Sequence, residues 1–389
     1  MIQKTRLSLA VLHHMRWLAA FMVAISHIRQ NLLLDYVDVK HPTLLDKLLF
    51  SVTAYGHAGV VVFFVLSGFL VGGKAITLLN SETVKTDWPH YLADRFSRIF
   101  IVLWPALLLC GLVLVFLRLE APTAPFLTSA PWGWAINRPI NGDFSVLRLV
   151  NAALLLNGLT AKTLQVDSPL WSLTYEWFYY MAALALVLML RRVFSLSALA
   201  IMGYAVVLLA LGLRLNPNMI VLSFVWVFGV IAKVTFDRGL LLNPLAKWAG
   251  LLMVVAALIV DRAISLPDLF LGALIAFMVA HRGWAEWRGG EVWGEKLAGF
   301  SYSFYVVHFP LSIVVLGLLY RFEGIHGRLP LNARGLIVAS STLAAAIVIA
   351  RVFAFCTEDR TQVLRHILLA PKLADTVAQK SEGASQISA

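Results

Sequence analysis

Ten apolar runs recur along the chain, at 15–34, 52–72, 99–117, 170–190, 198–213, 217–234, 245–260, 267–280, 297–320 and 335–356, with polar or basic stretches between them. Most lack the strict alternation of a half-buried strand and approach the roughly 20 residues of a straight bilayer crossing, which predicts membrane helices. The shorter runs predict tilted, broken or internally packed helices. The fold class expected is all-α, a polytopic membrane bundle of about ten transmembrane helices. Segment 146–160 is too short and too interrupted for an eleventh span, and reads as a re-entrant or interfacial piece of the long 118–169 loop. Arg16, His27 and Arg29 interrupt the first run and no small-residue cleavage site follows it, so it is read as a retained helix and not a signal peptide. Residues 1–356 then form one membrane-embedded domain and 357–389 a polar tail, of which 371–389 has the composition of a disordered segment.

Composition narrows the class. Of 389 residues, 60% are hydrophobic and 14% charged, against roughly 45–50% and 25% in soluble domains. The mean hydropathy is +0.81. That balance excludes a soluble enzyme, a secreted disulfide scaffold and a disordered protein. The net charge of +11 does not make a nucleic-acid surface, because the basic residues are spread between apolar runs where they meet lipid headgroups. With both termini in the cytoplasm, nineteen Lys and Arg fall on that side and twelve on the other, with Arg351 inside the last span. This asymmetry predicts an N-in, C-in topology, against which loop 321–334 places Arg321, Arg328 and Arg334 outside. Cys110 and Cys356 lie in apolar runs and are expected as buried, reduced thiols. No metal-ligand spacing is present, and no metal is expected.

Ionisable side chains in a bilayer cost roughly 2.5–3.5 kcal/mol each on insertion scales, which makes them the first candidates for function. Arg16 and His27 in MRWLAAFMVAISHI are eleven residues apart, on one helix face and roughly 16 Å apart along the axis. Glu176 in SPLWSLTYEWFYY and His308 in SYSFYVVHFPL fall at depths comparable to His27. Two imidazoles and a carboxylate at one depth make a general-base site with an orienting acid. The plainer alternatives are interhelical hydrogen bonds for the histidines, an ion pair of Glu176 with Arg16 or Arg351, and a zinc site. Buried titratable groups also suit a proton-coupled transporter or exporter, although no internal repeat accompanies them. Arg95 and Arg98 in DRFSRIFIVLWP are three apart at the start of a span, a spacing suited to gripping a phosphate or to anchoring on anionic headgroups. GFLVGGK at 68–74 imitates a phosphate loop, but Ala75 replaces the Ser or Thr that would bind magnesium, and Gly68 and Gly72 read instead as close-packing positions.

Taken together, these motifs resemble the acyltransferase 3 family of integral-membrane O-acyltransferases. The resemblance rests on Arg16-x10-His27, GHAGVVVFFVLSGFLVG at 56–72, Arg95-x-x-Arg98, PLWSLTYEWFYY at 169–180 and FSYSFYVVHFPL at 300–311, in the family's order. Glu358 stands where the family carries a glutamate near the end of the last span, though in TEDRT and not in the family's Glu-x-Pro context. The resemblance implies transfer of an acyl group, commonly acetyl, from cytoplasmic acyl-CoA to a hydroxyl of an envelope or exported carbohydrate or glycolipid, in a bacterial inner membrane. The chemistry of the residues fits that reaction: a neutral imidazole suits proton removal near pH 7, so His27 is expected as the base, with His308 in the catalytic group and Glu176 orienting the base or aligning the acceptor hydroxyl. Arg95, Arg98 and Arg16 would hold the phosphates of CoA. Trp171, Tyr175, Trp177 and Tyr302 are expected as an interfacial aromatic belt before sugar-stacking faces.

Overall fold

The computed structural model describes residues 10–370 apart from positions 130, 131, 134, 265 and 266. The stretch 371–389, expected to be disordered, lies outside the described residues. Among the described residues there are helices and turns but no strand, only two isolated bridges. Helix α1 spans Ala10–Leu32, and α2 at Leu44–Thr53 leads into α3 at Gly56–Ser67. A π-helical turn, Gly68–Gly72, joins α3 to α4 at Gly73–Leu79. Then come the long α5 at Val84–Glu120, the short α6 at Pro125–Thr128 and α7 at Val146–Ala153. Helices α8 Trp171–Leu190, α9 Leu196–Leu215, α10 Pro217–Arg238, α11 Pro244–Ile264 and α12 Asp268–Val279 follow. The series ends with α13 Glu291–Ala298, α14 Ser301–Glu323 and α15 Ala333–Cys356, and helical backbone resumes at 361–370.

Among the described residues, eight helical stretches are long and apolar enough to cross a bilayer. The other two expected spans are helices as well, and each departs for its own reason. At 23 residues α1 is long enough, but its histidines and arginines lower its hydropathy. At 12 residues α12 is short of a straight crossing. Segment 146–160 yields the eight-residue α7, whose Val146 and Leu147 are exposed while Asn151 and Ala152 are buried. At eight residues it is too short for an eleventh span.

Helix α5 begins at Val84, well before the expected span at 99, because Trp88, Tyr91 and Arg95 recur at helical spacing and bury an inward stripe ahead of the apolar run. The glycine motif at 68–72 serves packing. A Cβ on Gly68 would overlap the carbonyl oxygen of Trp226, and one on Gly229 the carbonyl of Val65, so the end of α3 and α10 meet at backbone contact. Helix α1 is held between α3 and α14. A Cβ on Gly59 would come within 2.8 Å of the Ala19 carbonyl, and Asn31 Nδ2 donates to Ser312 Oγ at 2.8 Å. Those two contacts turn the His27 face of α1 toward α14.

The loop after α14 is pinned to the end of α1. Leu34 N–H donates to Leu329 O at 2.9 Å, Leu329 N–H to Leu32 O at 2.8 Å, and Arg328 pairs with Asp35 and Asp38. Arg321 pairs with Glu120 and Arg334 with Glu323, so all three arginines that run against the charge asymmetry are ion-paired. One expectation about the thiols is corrected. Cys110 is buried, but Cys356 is exposed, because the buried stripe of α15 is Gly335, Thr342, Ala346, Ala350 and Ala354 and Cys356 lies off it.

Candidate active site

Helices α1 and α14 present His27 and His308 to each other. His27 Nδ1 lies 3.0 Å from His308 Nε2, and the rings stack with centroids 5.3 Å apart and planes 4° from parallel. The Nδ1 of His308 lies 3.1 Å from the carbonyl oxygen of Phe304, one turn earlier on α14. A carbonyl only accepts, so His308 carries its proton on Nδ1, and in its neutral form its Nε2 must accept. His27 then donates from Nδ1, which leaves a lone pair on its Nε2. Phe309 closes the arrangement edge-on to His27, with centroids 5.4 Å apart.

His27 lines a pocket of about 480 Å³ together with Gln30, Arg138, Gln165 and Trp171. His308 is fully buried and stands behind it. Val60 and Tyr305 line this pocket and also a narrower chamber of about 90 Å³, whose other polar walls are Arg16, Arg98, Glu176, Tyr180 and Tyr302. The two spaces share Val60 and Tyr305 as wall residues, the chamber lying toward the Arg16 end of α1 and the pocket toward the His27 end. The Tyr305 hydroxyl is fixed at the junction by Ser172 Oγ at 2.7 Å and the Pro169 carbonyl at 3.0 Å. Among the described residues, no three His, Cys, Asp or Glu side chains converge on a point where one metal ion would sit.

The expected residues are brought together in part. The hydrogen-bond partner of His27 is His308, and among the described residues Glu176 makes no hydrogen bond to it. Glu176 lines the narrow chamber instead, one helical turn from Tyr180, whose hydroxyl donates to Glu176 Oε1. A chain of neutral groups continues behind it, since Ser67 Oγ donates to Tyr180 Oη at 3.2 Å and Trp226 Nε1 to Ser67 Oγ at 3.1 Å. The arginine pair divides. Arg98 lines the chamber, whereas Arg95 is buried outside it with Asp94 as its nearest carboxylate at 3.9 Å. Positions three apart differ by about 60° around a helix, enough to send the two guanidiniums to different neighbours.

Arg16 does not pair with Glu176 either. Its Nη2 donates to Glu358 Oε1 at 3.1 Å, and Glu358 Oε2 accepts from the backbone N–H and the hydroxyl of Ser303 at 3.0 and 3.1 Å. Arg351, the other candidate partner, pairs with Asp359 at the exposed surface. Of the aromatic side chains expected as a belt, Tyr175 and Trp177 are buried in the bundle, Trp171 faces the His27 pocket and Tyr302 the chamber. Sequence reasoning passed over Tyr180, Tyr305 and Arg138. Only Tyr180 carried a signal, its spacing of four from Glu176.

Residues 9–351 match the acyltransferase 3 family model, an acyltransferase domain. The chain belongs to the acyltransferase 3 family. It is a membrane acyltransferase, and an acyl donor and an acceptor are implied with it. Glu358 lies just past the matched span, yet it is bonded to Arg16 inside it. No match to the chain was found among curated proteins or among solved structures.

Proposed function

We propose that this acyltransferase moves an acyl group, acetyl in the first instance, from cytoplasmic acyl-CoA to a hydroxyl of an envelope or exported carbohydrate or glycolipid. Its setting is a bacterial inner membrane, with both termini in the cytoplasm. The observation that carries the reading is the hydrogen bond from His27 Nδ1 to His308 Nε2, which leaves the His27 Nε2 lone pair at the wall of an open pocket.

The chemistry follows from the two adjoining spaces. The thioester end of acyl-CoA enters the narrow chamber, with Arg98 and Arg16 as cations in its wall for the donor phosphates, while Arg95 adds positive charge from outside that wall. The acceptor occupies the His27 pocket. His27 Nε2 takes the proton of the acceptor hydroxyl, the oxygen attacks the thioester carbonyl carbon, and the carbon–sulfur bond breaks. The departing thiolate recovers that proton from His27, so the products are an ester and free CoA thiol. While His27 is an imidazolium, its Nδ1–H bond to His308 strengthens, and the His308 Nδ1–H bond to the Phe304 carbonyl spreads the charge further. His308 is thus a positioning residue that fixes the tautomer of the base. Glu176, in the chamber wall, aligns the acceptor hydroxyl with the thioester.

The test uses purified protein in lipid nanodiscs, acyl-CoA labelled in the acyl group, and extracted envelope glycan. Label should become covalently attached to glycan with the wild-type chain and fall to background with His27→Ala, while the variant's melting behaviour is retained. Full transfer by His27→Ala would remove the proposed base. Passage of a substrate across the membrane with no labelled product would overturn acyl transfer to carbohydrate altogether.

A further inference from the structure

The pocket beside His27 has a charge pattern that the reaction above does not use. Arg138 lines it, and among the described residues no Asp or Glu does. Besides the base, the other ionisable groups lining that space are Tyr305, whose hydroxyl is bonded to Ser172 and Pro169, and His57, whose Nε2 is 2.8 Å from Asp268 Oδ1, so any charge on it is answered locally. Arg138 is not answered. Its Nη2 donates to the Thr163 carbonyl at 3.0 Å and its Nε to Asn137 Oδ1 at 3.4 Å, both neutral, and Nη1, itself buried, has no acceptor among the described residues. The nearest carboxylate that influences it, Asp143, is committed to Arg148 at 3.2 Å and to the Val166 N–H at 2.7 Å.

The guanidinium is also held in place. Gln165 is buried, and its Oε1 accepts the backbone N–H groups of Asn137 and Arg138 at 3.0 and 3.1 Å, which pins the loop that carries the side chain. A fixed cation without a counter-charge, in a pocket otherwise lined by hydrogen-bonding groups such as Gln30 and the aromatic face of Trp171, is built for an acceptor that brings the counter-charge itself. We propose that the acceptor carries a carboxylate or phosphate beside the hydroxyl to be acylated, and that Arg138 is the specificity-determining residue that binds it. This rests on the carbohydrate-acceptor reading and narrows it to acidic sugars or sugar phosphates.

The experiment measures labelled acyl transfer in nanodiscs of neutral phosphatidylcholine to three matched probes: glucose, glucuronic acid and glucose 6-phosphate. A charge-assisted hydrogen bond in a partly buried site predicts a kcat/KM at least about tenfold higher for one or both anionic sugars than for glucose. The two anionic arms distinguish a carboxylate from a phosphate. Arg138→Gln should bring the ratio within about twofold of one, chiefly by raising KM for the anionic sugar, and Arg138→Lys should keep most of the preference. A wild-type ratio near one, or a ratio unchanged in Arg138→Gln, overturns the proposal and leaves carbohydrate acylation standing. No label on any of the three sugars sinks both. The wild-type comparison needs no variant, so loss of folding in Arg138→Gln cannot hide the answer.

Discussion

His27 Nδ1 and His308 Nε2 stand 3.0 Å apart across the interface of two helices, with their rings nearly parallel and only one of them open to a pocket. The sequence separation of the two residues is 281, and the bond between them fixes which nitrogen of His27 is free. The inner imidazole serves as a template for the outer one.

His308→Ala should therefore lower kcat about 100-fold while leaving KM for acyl-CoA nearly unchanged. His308→Gln returns an acceptor to the same place and should recover part of the loss. Steady-state kinetics on the two variants, with KM and kcat reported separately, check this; an equal loss in both variants would mean that His308 serves packing alone.

Tyr180→Phe deletes the hydroxyl between Glu176 and Ser67 and little volume. The expected outcome is a drop in kcat of about tenfold, with thermal stability lowered by about 2 kcal/mol, the net worth of two hydrogen bonds. A melting curve measured beside the kinetics separates the two effects. A lowered melting temperature with kcat unchanged would place Tyr180 outside the reaction.

Arg16 and Glu358 should be energetically coupled. Both side chains are mostly shielded, at 21% and 11% exposure, and Glu358 also binds Ser303 through two hydrogen bonds. Removing either partner leaves an uncompensated charge, a loss of roughly 3 kcal/mol or more. A double-mutant cycle of Arg16→Ala and Glu358→Ala, read from detergent or nanodisc melting, should give a coupling of at least about 1 kcal/mol. Additive losses would show that the ion pair does not join the end of α15 to α1.

Asp167, in the loop just before α8, gives a pH dependence. Burial holds its carboxyl well above the ordinary carboxylate range, and its Oδ1 has no partner among the described residues. The folded state therefore keeps this proton more tightly than the unfolded chain. Stability from this group is largest at low pH and falls as pH rises from the unfolded value, roughly 3.9, toward the raised folded value. Asp167→Asn, which stays neutral throughout, should raise the melting temperature relative to wild type at pH 8 more than at pH 5. An identical gap at both pH values would contradict the burial of an acid there.

The membrane class, the helical bundle and the residues most expensive to place in lipid were legible in the chain alone, because hydropathy and helical period are local properties. Arg16 and His27 could even be put on one face of one helix by counting residues. Periodicity could not say what that face would meet. By charge alone Glu176 could have paired with Arg16 or Arg351, yet the folded chain gives Glu176 to Tyr180, Arg16 to Glu358 and Arg351 to Asp359. Arg95 and Arg98 looked like one unit, and the 60° between them gave each a different environment. Arg138 carried no local signal in the chain, since its standing as a cation without a counter-charge depends on which carboxylates other segments bring near. What the sequence settled by itself was solvent, secondary structure and the list of costly side chains. Pairing, tautomer and the uncompensated charge of the pocket were decided by the docking of helices distant in sequence, where an ångström of shift or a few tens of degrees of rotation selects the partner.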